Sequence, residues 1–483
     1  MSLQQIKNKM KSFKRGFSYI ALLLIAFRLS SCFSKKMENQ DSNKPNIVFV
    51  LVDDLGWSDV GFMGNPVYET PNLDNLSDES VVFNNAYAAA SNCAPSRACL
   101  LTGKSTPKHG IYTVGISERG KSQDRKLIPT KNTLTLGEDF VTIAEALKKD
   151  GYTSASIGKW HIGNDPREQG FDYDVAGTHM GHPKSYFSPY KNENLKDGHE
   201  GEYLTDRLTN EAISFIDKHK EAPFFLYLSY YAVHTPLQGK PEIEEKYRKK
   251  INGDTKFNAK YGAMIESVDD NVGKLLEYLE KNGLSKNTIV IFTSDNGGLA
   301  SVSSQFPLRG GKGSYYEGGI RVPFLIRWPD KIKTPKKIEA PISGLDIFPT
   351  LMDAVNDTED YELDGTSLLL LLENNHPIIE RSLIWHFPIY LEAVNPVKDE
   401  ARDSLFRTRP GSVIRIGHWK LHEYFEDGGL ELFNLDDDLR EQHNIYNDYP
   451  DVERRLYDEL QEWRAKTNAP IPKILNPEYK NNN

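Results

Sequence analysis

The chain has 483 residues, enough for two or three domains or for one large α/β unit with a smaller appended domain. Its hydrophobic content of 39% and charged content of 26% are typical of a folded globular protein and exclude extensive intrinsic disorder. A formal net charge of −9 argues against nucleic acid as a partner, so a site for a polyanion would need to concentrate positive charge locally.

The first 32 residues have the organisation of a lipoprotein signal peptide. A basic segment that ends at Arg15 precedes an apolar stretch over 19–27, which is too short to span a bilayer. Residues 29–32 (LSSC) resemble a bacterial lipobox, whose Cys is acylated and becomes the mature N-terminus. We therefore expect an exported protein, periplasmic or at the outer membrane or cell surface. Its membrane anchor would be a lipid on Cys32, followed by a flexible tether over 33–45.

Strand-like and helix-like segments alternate between residues 46 and 373. The run 46–52 (NIVFVLV) is continuously apolar and rich in β-branched residues, which is typical of a central parallel strand buried on both faces. The alternation predicts an α/β fold, with a large, mixed but mostly parallel sheet sandwiched by helices. The other predicted strands are 154–157, 224–229, 288–292 and 322–328, and the predicted amphipathic helices are 141–149, 203–218 and 261–281.

After residue 373 the pattern changes to short alternating strands and one closing helix. We predict strands over 382–390, 412–422 and 430–434, and an amphipathic helix over 451–466. The chain is thus expected to contain a main domain over 46–373 and a smaller C-terminal domain over 374–470, built from an antiparallel sheet plus a helix. A short tail over 471–483 follows.

Polar side chains with metal-binding or acid–base chemistry follow several predicted strands directly. In an open parallel sheet, ligands bind at the carboxyl ends of the strands, so these residues should meet in one site. Each of the short polar segments after these strands, taken alone, could equally be a turn. The carboxylates and the amide among them suit a hard divalent cation. The residues are Asp53, Asp54, Lys159, His161, His234, Asp295 and Asn296.

Two segments carry a family resemblance. Residues 93–104 (CAPSRACLLTGK) place a Pro two positions and an Arg four positions after Cys93, and residues 151–163 read GYTSASIGKWHIG. Taken alone, Cys93 could be a small buried hydrophobe before a turn. Together, and in this order, the two segments resemble the signatures of the type I sulfatases, in the arylsulfatase-A-like branch that acts on carbohydrates. In that family the Cys is oxidised to formylglycine, either by a formylglycine-generating enzyme or by an anaerobic sulfatase-maturating enzyme.

The resemblance implies an alkaline-phosphatase-like fold and hydrolysis of sulfate esters. Formylglycine at position 93 would act as its hydrate, with one hydroxyl attacking sulfur and the other expelling sulfate. The resemblance also implies one Ca²⁺ ion, held by Asp53, Asp54, residue 93, Asp295 and Asn296.

The remaining roles also come from the resemblance. Arg97 would hold the hydrate, and Lys159 and Lys312, the latter in the loop RGGKGSYYEGG, would bind the sulfuryl oxygens. His161 would take a proton when sulfate is eliminated, and His234 would protonate the leaving oxygen.

Cysteine usage agrees with these assignments. The chain has three Cys residues, which is not the pattern of an exported protein stapled by disulfides. With Cys32 assigned to the lipid and Cys93 to catalysis, Cys99 remains. A bond between Cys99 and Cys93 would abolish the nucleophile, so we expect Cys99 to be a buried free thiol.

Substrate recognition is expected from the loops 117–140 and 178–202, which are rich in basic, aromatic and His residues. We predict contacts to sugar from His179, His182 and, in the C-terminal domain, His386. The expected substrate is a sulfated oligosaccharide or polysaccharide, cut from its end, from algal polymers such as ulvan, carrageenan or agar or from glycosaminoglycans. Two alternatives remain at this point: a phosphodiesterase or phosphonate monoester hydrolase of the same superfamily, and a non-catalytic binder of sulfated glycans.

Overall fold

Sixteen strands in four sheets lie within the part of the chain that the structure, a computed structural model, describes: residues 44–374 and 380–480. The predicted signal peptide, with Cys32, and nearly all of the tether lie outside the described residues. Residues from Asn46 onward form one unit. None of the described helices is long and apolar enough to cross a membrane.

The strands, in chain order, are β1 (Asn46–Val52), β2 (Val81–Phe83), β3 (Ala86–Tyr87), β4 (Thr153–Gly158), β5 (Tyr173–Val175), β6 (Phe224–Ser229), β7 (Thr288–Ser294), β8 (Phe324–Arg327), β9 (Lys336–Ile338), β10 (Ile342–Ser343), β11 (Ser382–Phe387), β12 (Leu391–Glu392), β13 (Phe406–Thr408), β14 (Gly411–Ile416), β15 (Trp419–Tyr424) and β16 (Leu430–Asn434). The α-helices are α1 (Pro71–Asp78), α2 (Cys93–Thr102), α3 (Thr106–His109), α4 (Ile143–Lys149), α5 (Leu204–His219), α6 (Pro241–Ile251), α7 (Ala259–Lys281), α8 (Glu317–Ile320), α9 (Ile347–Val355), α10 (Leu369–Asn374) and α11 (Pro450–Thr467).

The main sheet has eight strands in the order β5-β4-β6-β1-β7-β8-β2-β9. The pairs on either side of β1, with β6 and with β7, are parallel, as are the pairs of β4 with β5 and β6. Strand β8 runs against both β7 and β2. The sheet is therefore mixed and mostly parallel, as predicted.

Alternate residues of β1 feed two separate cores, because successive side chains of a strand point to opposite faces. Val48, Val50 and Val52 pack in one cluster with buried residues of α5 and α7. Ile47, Phe49 and Leu51 pack in the other cluster with residues of α2, α4 and α9. This burial on both faces explains the uninterrupted apolar run in the sequence.

Helix α7 begins two residues before the predicted start. The side chain of Asn258 accepts hydrogen bonds from the backbone N–H groups of Lys260 and Tyr261, which satisfies two donors that the helix itself cannot pair. One face of the helix is buried, with Met264 and Val268 among its members. The helix covers the sheet on the side of the first core.

The C-terminal region contains an antiparallel sheet in the order β11-β14-β15-β16, and α11 packs on it through Leu456 and Leu460. Our single predicted strand over 412–422 is wrong in one respect. The structure has two strands there, β14 and β15, paired as a hairpin that turns at Gly417 with a φ of 58°. The core-facing positions shift by one residue across the turn, from Ile414 and Ile416 to Trp419 and Leu421, and the prediction overlooked this shift.

The end of the described chain lies against an earlier loop. The side-chain amide of Asn476 donates to the carbonyl oxygens of Ser122 at 2.8 Å and Arg125 at 2.9 Å. Ile128 donates its N–H to the carbonyl of Ile474 at 2.8 Å. The predicted tail is thus fixed on the loop 117–140 as far as residue 480.

Candidate active site

Four neighbouring strands of the main sheet bring their carboxyl-end loops into direct contact. The N–H of Asp53, after β1, donates to the carbonyl of Ala232, after β6, at 2.9 Å. The N–H of Asp295, after β7, donates to the carbonyl of Val52 at 3.1 Å. The N–H of Lys159, after β4, donates to the carbonyl of Ser229, at the end of β6, at 2.7 Å. The predicted meeting of these strand ends is therefore present in the structure.

Cys93 is the first residue of α2 and lies in the lining of a cavity of about 600 Å³. Its side chain is 1% exposed and forms no disulfide. Burial raises the pKa of the Cys93 thiol to about 11, against the opposing effect of the ammonium groups of Lys159 and Lys312. An unmodified Cys93 is therefore a neutral thiol at pH 7, which is a poor nucleophile.

The two carboxylates after β1 are each paired with a different lysine. Lys159 Nζ lies 2.6 Å from Asp53 Oδ2, and both side chains are fully buried. Lys312 Nζ lies 2.7 Å from Asp54 Oδ1 and 2.8 Å from Oδ2. Burial alone would raise the pKa of Asp54, but Lys312, His234 and Lys159 lower it below its usual range. Asp54 is thus held as a carboxylate.

The oxygen atoms beside Cys93 have the chemistry of a divalent-cation site. Donor atoms of Asp53, Asp54, Cys93 and His234 all lie within 4.8 Å of one another. Asp53 Oδ1 and Asn296 Oδ1 are buried and have no hydrogen-bond partner among the described residues. Two orphaned buried acceptors are unfavourable, and a cation bound by oxygen ligands would satisfy both. The predicted ligands Asp53 and Asp54 lie in this cluster, and Asn296 contacts it through Asp54 Oδ1.

Asp295 and Arg97 form a buried pair next to this cluster. Arg97 Nε lies 2.8 Å from Asp295 Oδ2, and Arg97 Nη1 donates to the carbonyl of Lys159 at 2.8 Å and to the hydroxyl of Ser229. Asp295 Oδ1 accepts the N–H of Asp54 at 3.2 Å. Arg97 is fully buried and is absent from the cavity lining. In this structure it positions Asp295 and the Lys159 loop.

His161 lies in the cavity lining with an unusual backbone conformation, a φ of 71°. Its Nδ1 atom is buried without a hydrogen-bond partner, and burial lowers the pKa of the ring well below its ordinary value. Gly181 makes room for the ring, because a Cβ atom at this glycine would lie 2.5 Å from His161 Cε1. His161 is thus a neutral base whose ring fills the space that a Cβ atom at Gly181 would need.

His234 faces the same cluster from the loop after β6. Its Nδ1 lies 2.7 Å from the carbonyl oxygen of Thr235, which can only accept, so Nδ1 carries the proton. The other ring nitrogen, Nε2, lies 3.5 Å from Asp54 Oδ2. The ring stacks on His182 with centroids 6.1 Å apart. Tyr186 donates its hydroxyl to the His234 carbonyl at 2.8 Å, which fixes the backbone. This ring can exchange a proton at Nε2 within the cavity.

The predicted substrate-binding histidines divide into two groups. His179 and His182 lie in the cavity lining, where we expected them. His386 does not, and that expectation is wrong. It lies within β11 with 1% exposure, and its ring nitrogens bond the hydroxyl of Ser412 at 2.8 Å and the carbonyl of Pro470 at 3.0 Å. His386 joins β11 to β14 and to the segment that follows α11.

Cys99 is a buried free thiol, as predicted, and its Sγ lies 3.3 Å from His109 Nε2. Sequence reasoning missed Ser229, Gly181 and Arg407, which hold Arg97, admit the His161 ring and line the cavity, respectively. None of the three stands in a recognisable motif, and each acts only through contacts made by folding.

Comparison with known proteins gives consistent matches. The sulfatase family model matches residues 45–357, and a model described as N-sulphoglucosamine sulphohydrolase, C-terminal, matches 311–466. A sulfatase from Formosa agariphila is 32% identical, over 95% of this chain and 96% of its own. The N-acetylgalactosamine-6-sulfatase of Rattus norvegicus is 34% identical, over 71% of this chain and 68% of its own.

A similar solved structure is that of Ps i-CgsB in complex with k-i-k-neocarrahexaose. It has a TM-score of 0.72 and 32% identity, and the match covers 89% of this chain and 94% of the other.

Proposed function

Because this chain belongs to the sulfatase family, and is therefore a sulfuric ester hydrolase, we propose that it removes sulfate from galactose-type units of sulfated oligosaccharides. The observation that carries the proposal is the position of Cys93, at the first turn of α2 in the lining of the cavity, beside two lysines and two histidines. The proposed nucleophile is formylglycine formed from Cys93. As its hydrate, it would supply one hydroxyl to attack sulfur and a second to expel sulfate.

The residues around position 93 divide the remaining tasks. Lys312 lies in the cavity lining and is held by Asp54, so its ammonium group is placed to bind a sulfuryl oxygen. Lys159 lies behind the lining on Asp53. We assign it to sulfuryl binding as well, which requires its ammonium group to leave Asp53 and enter the cavity. His161, neutral and buried, is assigned to accept the proton that is released when sulfate is expelled.

His234 is assigned as the general acid for the leaving sugar oxygen. The Thr235 carbonyl fixes the proton on Nδ1, so Nε2 alone can collect a proton and pass it on. The Asp54 carboxylate 3.5 Å from Nε2 favours the protonated ring, against the effect of burial, which lowers the pKa of His234 to about 3. Proton donation by this ring requires that the negative charge of a bound substrate raise its pKa, because nearby cations such as Lys312 lower it.

The cation is proposed to be one Ca²⁺, held by Asp53, Asp54, Asp295, Asn296 and the group at position 93. All four side chains offer oxygen, which is the ligand type that Ca²⁺ prefers. When bound, the ion would lower the pKa of the nucleophilic hydroxyl and neutralise charge on the sulfate. The orphaned oxygens of Asp53 and Asn296 support this ligand set.

The galactose-type assignment comes from the relatives. One is named for N-acetylgalactosamine 6-sulfate, and one solved structure holds a neocarrahexaose. The cavity of about 600 Å³ suits one or two sugar units and favours action at a chain end.

Sulfate release from a panel of monosulfated galactose, N-acetylgalactosamine and glucosamine oligosaccharides tests the proposal, with Cys93→Ala as the control. The protein should be produced with a formylglycine-generating enzyme. Release from the galactose-type members, absent in the control, is the expected result. Turnover of phosphodiesters or phosphonate esters in preference to every sulfate would favour the alternative hydrolase.

We also propose that the protein is exported and anchored to a membrane by a lipid on Cys32, which lies outside the described residues. The basic and apolar segments before the lipobox support this. Maturation in the producing cell would require a formylglycine-generating enzyme or an anaerobic sulfatase-maturating enzyme. Cys32→Ser should release the protein from the membrane fraction if the anchor is correct.

A further inference from the structure

Arg407, on strand β13 of the C-terminal region, reaches the lining of the same cavity as Cys93. Its Nη1 donates to the carbonyl of Lys312 at 2.8 Å and its Nε donates to the carbonyl of Glu392 at 3.0 Å. Two neutral carbonyl groups therefore fix the plane of the guanidinium. The Nη2 group has no hydrogen-bond partner among the described residues.

The charge of Arg407 is not balanced by a carboxylate. The nearby carboxylate of Glu392 is engaged by Arg119, with Nη2 to Oε1 at 2.7 Å and Nε to both oxygens at 3.1 Å. No carboxylate in residues 44–374 and 380–480 forms an ion pair with Arg407. Burial lowers the pKa of Arg407, against the more distant effects of Asp399 and Glu392. A partly buried, unpaired cation is unfavourable unless an anion pairs with it.

The space around this guanidinium is preserved by a glycine. Gly313 follows Lys312 and has a φ of +87°, and a Cβ atom there would lie 3.2 Å from Arg407 Cζ and Nη1 and 2.4 Å from Leu391 Cδ2. The loop that carries the sulfate-binding lysine is thus shaped to admit Arg407. Because Arg407 donates to the backbone carbonyl of Lys312, the positions of the two cationic side chains are linked.

We propose that Arg407 binds a second anionic group of the substrate, distinct from the sulfate ester that is hydrolysed. The inference rests on the proposed function, because it places a carbohydrate sulfate in this cavity. A planar guanidinium with a free edge suits the oxygens of a sulfate or a carboxylate. The second group is therefore a further sulfate ester or a uronate carboxylate, on the same sugar or on its neighbour. The enzyme would favour multiply charged glycans over monosulfated ones.

The test compares kcat/KM on three matched oligosaccharides that share one scissile sulfate. One has no other charge, one has a second sulfate and one has a neighbouring uronate. The wild type should favour at least one of the doubly charged substrates by about tenfold or more. A preference for the substrate with a second sulfate, for the substrate with a uronate, or for both supports the proposal. The preferred substrate identifies the anion that Arg407 binds. Equal kcat/KM on all three, with sulfate released from each, overturns this inference while leaving the proposed function intact.

Variants separate anion binding from positioning of Lys312. Arg407→Gln should reduce the preference ratio to near one, and Arg407→Lys should give an intermediate ratio. Arg402→Gln is the matched control, because Arg402 pairs with Asp427 and is absent from the lining of this cavity, so the ratio should be unchanged. An equal loss on all three substrates in Arg407→Gln would overturn the proposal in favour of a purely structural role. If that variant does not fold, the wild-type comparison decides.

Discussion

Asn296 donates its side-chain N–H to Asp54 Oδ1 at 2.8 Å, which directs its own Oδ1 into the cluster as a buried acceptor without a donor. A leucine of similar size at 296 would remove both the donor and the orphaned acceptor. An asparagine that only packed would not need an unpaired buried acceptor, so this arrangement supports the proposed role of Asn296 as a ligand.

Chelation of calcium should lower activity and thermal stability together. A ligand present at one hundred times its Kd stabilises the folded state by about 2.7 kcal/mol, and this contribution is lost with the ion. Thermal unfolding with and without chelator measures the effect in the wild type and in Asn296→Leu. The variant should respond much less than the wild type to calcium addition. An equal calcium response in both proteins would remove Asn296 from the ligand set.

Replacement of His234 should impair substrates with poor leaving groups most. His234→Ala should lower kcat on a sugar sulfate by about 10²–10⁴-fold, because a general acid contributes most when the leaving oxygen is basic. An activated aryl sulfate needs little protonation and should lose much less. The comparison of kcat on the two substrate types is the measurement, and equal losses would assign His234 a different role.

Gly181→Ala should damage catalysis with little effect on folding. The new Cβ atom would lie 2.5 Å from His161 Cε1, so the ring must move. A displacement of about 1 Å in a catalytic group can reduce the rate by about 10²-fold. Gly344→Ala is the control, since its nearest neighbour atom would be 3.7 Å away. Measured kcat should fall only in the first variant, and an unchanged kcat in Gly181→Ala would show that the ring position is not critical.

His386 should make the protein sensitive to mild acid without affecting substrate binding. Burial lowers the pKa of His386 to about 3 from an ordinary value of 6.5. Between these values the unfolded chain binds a proton and the folded chain does not, so the free energy of unfolding falls as the pH falls below 6.5. From pH 7 to pH 5 the loss should be about 2 kcal/mol larger in the wild type than in His386→Gln.

Denaturant unfolding at the two pH values measures this difference, and KM for the sulfated substrate should be unchanged in the variant. A raised KM would return His386 to the substrate site. An identical pH dependence in both proteins would show that its neutral form is not what stabilises the fold.

Sequence patterns predicted the bounds of three strands. Strands β1, β6 and β16 have the predicted bounds, because each is set off by polar or turn residues. The hairpin at Gly417 was missed although the core-facing positions shift by one residue across it, from Ile414 and Ile416 to Trp419 and Leu421. That shift in phase, together with the Gly between the two halves, is the sequence signal of the turn.

The site was predictable to the extent that its residues follow strand ends or stand in motifs. Asp53, Asp54 and Asn296 were found in this way. Arg407 was not, because its relevance depends on the contact of β13 with the Lys312 loop, which is distant in the chain. His386 was misplaced for the same reason. Its partners, the hydroxyl of Ser412 and the carbonyl of Pro470, are distant in the chain, and only folding brings them to its ring.

The central claim is that the group formed from Cys93 performs the hydrolysis. It is tested most directly by comparing sulfate release from a galactose-type sulfated oligosaccharide by protein produced with and without a formylglycine-generating enzyme. The mass of the peptide that contains residue 93 gives the converted fraction. The account predicts release in proportion to conversion and none from Cys93→Ala. Equally fast release by unconverted protein, or by Cys93→Ala, would contradict it.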